Sequence, residues 1–161
     1  MNKHLLMKGI DMKKIGSVIF LLVLVFFLLA SCENSSSDWV KYKDDNDGNI
    51  YSYNKENIAK DSGNYMVQVW EKQAYSDIGR EKEIQSRKKD ELSIKGYDKL
   101  LQKNVLYEID CKKHMISVLA IIHYDTDGKA LYSGGTLERK WLDIKPDSTG
   151  EALQKEVCPN K

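Results

Sequence analysis

The stretch "MISVLAIIHY" at residues 115–124 decides the fold class of this chain. In an extended strand successive side chains point to opposite faces, so residues two apart share a face. Here both sets of alternating residues are largely apolar, a pattern typical of a central strand that is covered on both sides. We therefore expect this stretch to form a central strand of a β-sheet.

Further strands are expected on both sides of this stretch. The segment "YMVQVWEKQAY" at 65–75 alternates with period two, as a strand with one buried face does. The segment "VLYEID" at 105–110 places Tyr107 and Ile109 on the face that Cys111 continues. Shorter β-rich runs are "NIYSY" (49–53), "ALYSG" (130–134) and "KWLDI" (140–144).

Two Asp-Gly pairs, at 47–48 and 127–128, lie between β-rich runs and predict hairpin turns, because glycine adopts positive φ without a steric penalty. The surrounding "DNDG" and "DTDG" also suggest calcium loops. A calcium loop of the EF-hand type needs an acidic first ligand five residues before the glycine. Lys43 and His123 occupy those positions, so the turn is the better interpretation.

Residues 79–103 break the strand pattern. The run "REKEIQSRKKDEL" at 80–92 is rich in helix formers, and Ile84 and Leu92 are its only large aliphatic residues. The run predicts an exposed, charged helix inserted between strands. Two readings of its surface stay open: a solvated face, or a surface that binds a partner.

The C-terminal segment "PDSTGEALQKEVC" at 146–158 predicts a second helix. Ser148 and Glu151 have the spacing of a capping box, in which each side chain satisfies a free amide of the first turn. Leu153 and Val157 are four residues apart and share one helix face. We expect that face to pack on the sheet.

An apolar run at 15–30 precedes all of these segments and ends in "LASC" at 29–32. A basic start, an apolar middle and small residues at the end are typical of a secretory signal peptide. The ending resembles a lipobox, so we expect residues 1–31 to be a lipoprotein signal peptide, Cys32 to carry lipid, and residues 32–38 to form a polar tether. An uncleaved membrane anchor is the alternative. The lysines before the apolar run are Lys3, Lys8, Lys13 and Lys14.

Net charge argues against a nucleic-acid partner. The full chain has 25 Lys and Arg and 24 Asp and Glu. Residues 1–31 hold four of the basic residues and one of the acidic residues, which leaves 21 against 23 and a formal charge of −2 after cleavage. A nucleic-acid-binding protein instead carries a pronounced positive surface.

Cysteine usage predicts a disulfide. With Cys32 assigned to lipid, Cys111 and Cys158 remain, and two thiols of an exported chain tend to pair. A zinc site is the alternative, since His114 stands three residues after Cys111 and His123 could contribute as well. A catalytic thiol is a further alternative, although no Cys-x-x-Cys motif is present.

The ordered set of motifs resembles the surface-adhesin protein E-like lipoproteins, over residues 39–158. The resemblance implies an α+β fold: a small antiparallel β-sheet with a C-terminal α-helix packed on it and disulfide-linked to it, here with the charged helical insertion. Residues 159–161 are a tail. The features that carry the resemblance are Trp39, "VQVWEKQAY" (67–75), "GREKEIQSRKKDELSIKGYDKL" (79–100), "LYEIDC" (106–111), "HYDTDGK" (123–129), Trp141 and "IKPDSTGEALQKEVC" (144–158).

The sequence contains no nucleophile motif and no glycine-rich phosphate loop. We therefore predict no catalytic, cofactor-binding or metal-binding residues, and a non-enzymatic, adhesin-like binding module of the bacterial envelope. An envelope enzyme or enzyme inhibitor with an unrecognised site is the alternative, and a purely structural envelope role is a third reading.

The expected partners are the membrane, through the lipid on Cys32, and a protein. That protein is a host matrix protein, another envelope protein or a second copy of the chain in a homodimer. Glu33, rather than an aspartate, follows the cysteine, which favours the outer membrane.

Overall fold

The computed structural model describes residues 38–61, 65–136 and 138–159. The predicted signal peptide, Cys32, the tether up to Ser37 and the last two residues of the tail lie outside the described residues. Within the described ranges, no helix is both long and apolar enough to cross a membrane.

Eight strands form one antiparallel sheet in which strand order largely follows chain order: β1-β2-β4-β5-β6-β7. The short β3 pairs with β4, and the short β8 pairs with β6. The strands are β1 (Trp39–Asp44), β2 (Ile50–Asn54), β3 (Ala59–Lys60), β4 (Met66–Ala74), β5 (Leu100–Asp110), β6 (Met115–Asp125), β7 (Ala130–Gly135) and β8 (Leu142–Asp143).

Among the residues that the structure describes, two α-helices accompany the sheet. Helix α1 (Asp77–Lys89) joins β4 to a short 3-10 helix (Tyr97–Lys99), which leads directly into β5. Helix α2 (Thr149–Val157) ends the fold. The serine cap before α2 is confirmed, because Ser148 Oγ accepts from Glu151 N at 3.1 Å. Glu151 also reaches back, but its Oε2 accepts from Asp147 N at 3.0 Å, one residue before the position of a standard capping box.

The pairing register divides the side chains of the sheet between two faces. We call one the covered face, because α2 packs on it, and the other the open face. The covered face includes Val67, Val69, Glu71, Val105, Tyr107, Ile109, Ile121 and His123. The open face includes Gln68, Trp70, Lys72, Asn104, Leu106, Glu108, Ser117, Ala120 and Ile122.

The core lies between the covered face and α2. Leu153 and Val157 of the helix are 0% and 1% exposed, and they belong to one buried cluster with Val67, Val69 and Ile109. Full burial of one such aliphatic side chain stabilises a fold by roughly 1.5–3 kcal/mol. The predicted α+β architecture, with a C-terminal helix on the sheet, is therefore confirmed.

The predicted central strand, β6, lies between β5 and the β7 and β8 strands, but the expectation that it is covered on both sides is wrong. Val118, Leu119 and Ile122 are only half-buried, whereas Ser117 and His123 are its most enclosed residues. The physical reason is that no helix packs on the open face within the described residues.

Both predicted Asp-Gly turns are hairpin turns built in the same way. Asp45 Oδ1 accepts from Asp47 N at 3.0 Å and from Asn49 N at 2.9 Å between β1 and β2. Asp125 Oδ1 accepts from Asp127 N and Lys129 N at 3.0 and 2.8 Å between β6 and β7. These carboxylate oxygens satisfy turn amides, as in an Asx turn.

Candidate functional site

A disulfide between Cys111 and Cys158 joins the end of β5 to the end of α2, with the Cα atoms 5.8 Å apart. That separation lies within the range that a disulfide requires. The bond consumes both thiols, so the alternatives of a zinc site and a catalytic thiol lose the thiolates on which they depended. The predicted disulfide is confirmed.

A cleft of about 460 Å³ opens beside the disulfide, between the β5–β6 turn and α2. His114 lies at its edge with a positive φ of 55° and is exposed. Its Nδ1 lies 3.1 Å from Oε1 of Gln154, and its carbonyl oxygen accepts from Ile144 N at 2.9 Å. His114 therefore fixes the turn against the last helix rather than facing a nucleophile.

His123 belongs to a separate cluster on the covered face, beyond the region where α2 packs. The imidazole is 3% exposed, and its Nδ1 lies 3.0 Å from the hydroxyl of Tyr97. Burial lowers the pKa of His123 to about 4, and the nearby Glu83 opposes this shift only in part. The ring is therefore neutral at physiological pH. The structure does not bring the two predicted histidines together.

Arg87 completes this second cluster, and sequence reasoning missed its role. The residue is 7% exposed, and its guanidinium lies 4.3 Å from the ring centroid of Tyr97 and 5.2 Å from that of Tyr132. Its Nε donates to the carbonyl oxygen of Ser93 at 2.9 Å. Such stacking contributes about 0.5–2 kcal/mol, depending on how far the cation is desolvated. Arg87 thus attaches α1 to the sheet.

The remaining charges of α1 divide into paired and free groups. Arg80 pairs with Asp77 at 2.5 Å, and Lys82 pairs with Asp47 at 2.6 Å. Lys88 and Lys89, in the last turn, are exposed and have no carboxylate within ion-pair distance among the residues described. Lys88 and Lys89 are therefore the basic residues of α1 whose charges stay available to an approaching partner.

One buried carboxylate lies near the centre of the covered face. Glu71 is almost fully enclosed and accepts a short hydrogen bond from the hydroxyl of Tyr42. Burial raises the pKa of Glu71, while this hydrogen bond and the charge of Lys103 oppose the rise. Perturbed carboxyl groups are common at functional sites, but structural networks perturb them as well. Glu71 and Tyr42 link β4 to β1, a structural contact between non-adjacent strands.

Each histidine of the described residues contacts a side chain that is neither a serine nor a cysteine: His114 lies beside Gln154, and His123 lies beside Tyr97. The sequence model of the surface-adhesin protein E family matches residues 39–159.

The chain belongs to the surface-adhesin protein E family.

Solved structures of family proteins from Haemophilus influenzae resemble this adhesin E chain only distantly in sequence. One protein E structure is 13% identical, with a TM-score of 0.46, over 77% of this chain and 86% of that chain. A second crystal form is 11% identical, with a TM-score of 0.48, over 80% and 92% of the two chains. Protein E from a non-typeable strain is 12% identical, with a TM-score of 0.44, over 78% of each chain. Among curated proteins, none matches this chain significantly.

Proposed function

We propose that this adhesin E chain is a lipid-anchored, non-enzymatic binding protein of the bacterial outer membrane that attaches to an extracellular protein. The family match over residues 39–159 is the observation that carries the proposal. In this reading residues 1–31 are removed, Cys32 carries the lipid, and residues 39–158 form the binding domain. A host matrix protein is the expected partner, and an envelope protein or a second copy of the chain are the other candidates.

The exposed end of α1 is the partner surface that the geometry favours. Lys88 and Lys89 extend from the last turn of a helix whose other basic side chains are paired or buried. Two adjacent free ammonium groups attract an acidic surface, and salt screens that attraction at distances near the Debye length of about 8 Å. Association through this region should therefore weaken as ionic strength rises.

The anchor is tested by metabolic labelling with palmitate. The wild-type chain should take up label and partition with the outer membrane, and Cys32→Ala should do neither. Cys111→Ala serves as the matched control, because it removes a cysteine of the fold and should leave labelling unchanged. Equal labelling of wild type and Cys32→Ala would exclude the anchor.

The binding surface is tested on intact cells that express the chain, with immobilised matrix proteins as targets. Replacing both Lys88 and Lys89 by glutamate should abolish salt-sensitive attachment. The control replaces Lys129 and Lys140 by glutamate, which alters net charge equally at exposed positions outside α1. Equal loss in both variants would indicate a nonspecific charge effect and remove α1 as the binding surface.

A further inference from the structure

The open face of the sheet has no helix over it in the described part of the chain, although Arg139, from the segment between β7 and β8, reaches Glu108 at one end of it. Trp70, Leu106 and Ala120 form one row across β4, β5 and β6. Lys72 and Ile122 lie in the next row, on either side of Asn104, and all of these residues are half-buried. A sheet face of this composition normally packs against another layer. The open face therefore has the character of a contact surface.

Glu108 and Lys72 differ in how their charges are met on the open face. Glu108 is enclosed and holds Arg139 and Gln68, the latter donating from Nε2 to Oε1 at 2.9 Å. Lys72, by contrast, has no carboxylate within ion-pair distance among residues 38–61, 65–136 and 138–159, and its Nζ lies 4.7 Å above the ring of Trp39. The acid is thus neutralised within the fold, while one ammonium group beside a tryptophan stays available to an anionic surface.

The side chain of Trp39, the first residue of β1, lies on this same face. Trp39 pairs with Asn54, and Ser52, two residues earlier on β2, pairs with Lys72. Trp39 therefore shares the open face with Trp70 and Lys72. Cys32 precedes Asp38 by six residues, which extend over at most about 20 Å.

That reach is short compared with the domain. A strand of eleven residues such as β5 is about 36 Å long. If lipid holds Cys32 in a membrane, the headgroups lie within one tether length of Trp39, and part of the domain must be close to them. The open face beside Trp39 carries side chains that suit a headgroup layer. Tryptophan favours the membrane interface, and lysine can reach lipid phosphates from an apolar surface.

We propose that the open face, with Trp39, Trp70 and Lys72, rests on the anionic headgroup layer of the membrane that holds Cys32. The proposal relies on the lipid anchor of the proposed function and adds an orientation to it. The covered face, with α1 above it, then points away from the bilayer. Lys88 and Lys89 are thereby directed to the side from which an extracellular partner approaches.

The test uses the full lipidated chain in vesicles of phosphatidylethanolamine and phosphatidylglycerol that contain brominated lipid, which quenches tryptophans within reach. Wild type should be quenched, and replacing both Trp39 and Trp70 by phenylalanine should reduce the quenching at least twofold. The control is Ile78→Trp in a variant whose three tryptophans are replaced by phenylalanine, because Ile78 is 59% exposed on α1, on the covered side of the sheet, and it should not be quenched. Quenching of the Trp39/Trp70 double variant equal to that of wild type, or quenching of the control as strong as that of wild type, would overturn the proposal.

A second arm tests the charge and the competing occupants. Lys72→Gln should reduce quenching in anionic vesicles, whereas Lys129→Gln, at the exposed β6–β7 turn, should not. Tryptophans shielded from both brominated lipid and aqueous acrylamide would show that a second copy or another protein covers the face. Tryptophans open to acrylamide alone would show that the face is free. Either result refutes the proposal.

The vesicle-binding measurement distinguishes failure of the lipid anchor from failure of the proposed orientation. If the chain carries no lipid and stays in solution, the anchor fails and the orientation falls with it. If the chain is lipidated and vesicle-bound but its tryptophans are not quenched, the anchor stands and only the orientation is refuted.

Discussion

The two helices lie on the same face of the sheet but are attached by different means. Helix α2 buries Leu153 and Val157 completely and ends in a disulfide to β5. Helix α1 has Gly79 and Arg87 as its buried residues, and it is held by stacking of Arg87 on two tyrosines. One attachment is apolar and covalent, and the other is polar and cationic.

This difference suggests that the two helices contribute differently to the stability of the domain. Apolar burial is insensitive to salt and accounts for most of the stability of a small domain. A polar attachment contributes less, but it leaves the outer side of the helix free to carry charge. We expect α2 to carry the stability of the domain and α1 to tolerate change, and the following predictions test that asymmetry from the largest effect to the smallest.

Loss of the disulfide should have the largest effect. In a Cys32→Ser background, replacing both Cys111 and Cys158 by alanine removes a crosslink that closes 47 residues. The chain-entropy argument predicts a loss of about 4 kcal/mol in the free energy of unfolding. Urea denaturation of the two proteins measures this loss. A difference below about 1 kcal/mol would show that apolar packing alone holds α2.

The second largest effect should come from the apolar side chains of the two helices, whose removal should cost different amounts of unfolding free energy. Leu153→Ala removes a fully buried side chain of α2 and should cost about 3 kcal/mol. Ile78→Ala on α1 removes a side chain that is 59% exposed and should change stability by at most about 0.5 kcal/mol. Denaturant midpoints with unchanged slopes would measure both. Comparable losses from the two variants would contradict the proposed asymmetry.

The polar attachment of α1 should depend on pH through His123. Its folded-state pKa of about 4 lies below the ordinary value of 6.5, because burial disfavours the charged form. The neutral ring therefore contributes no penalty at pH 7, and stability is lost as pH falls from about 6.5 to 4, by about 3 kcal/mol.

The variant His123→Gln should flatten this part of the stability profile. Thermal or urea unfolding between pH 7 and 4 measures the profile of each protein. The difference between wild type and variant isolates His123 from Glu108 and Asp45, whose lowered pKa values also cost stability in acid. Parallel profiles for the two proteins would exclude His123 as the source.

The helix caps should show the smallest difference between the helices. Ser76 accepts from Gly79 N at 2.9 Å and donates to the carbonyl oxygen of Asp47, and Ser148 makes the equivalent pair of bonds at α2. Each serine-to-alanine variant should cost about 1 kcal/mol. Equal losses would place the difference between the helices in their packing, and unequal losses would place part of it in their first turns.

The features that the sequence predicted correctly are those that local chemistry specifies. The serine cap of α2 and the Asp-Gly turns depend on residues within a few positions of one another. The Cys111–Cys158 disulfide followed from counting thiols in an exported chain rather than from local pattern. Alternation in β4 likewise placed Val67 and Val69 on one face of the strand, and both are buried.

The features that were missed depend on distant partners. Strand β5 begins at Leu100, five residues before the predicted start, because "LLQKN" pairs with β4 and β6 although its pattern is polar. Arg87 reads as a surface residue, and nothing in its own segment indicates the ring of Tyr132 against which it stacks. The predicted strand at 140–144 is only Leu142–Asp143 in the structure. These two residues pair with Met115 and Ile116 of β6, and β7 pairs with the later part of β6. Lipidation of Cys32 stays a prediction.

The order of the strands has a consequence for how the chain folds. The β1–β2, β5–β6 and β6–β7 pairs join strands that are neighbours in the chain, whereas β4 pairs with β5 across α1. Loop closure costs less over the short turns of the hairpins than over the longer α1 connection, so we expect the hairpins to form first. The disulfide spans 47 residues, and Cys111 takes up its position at the end of β5 when β5 has paired with its neighbours. We therefore expect oxidation to fix α2 in place after these strands have assembled.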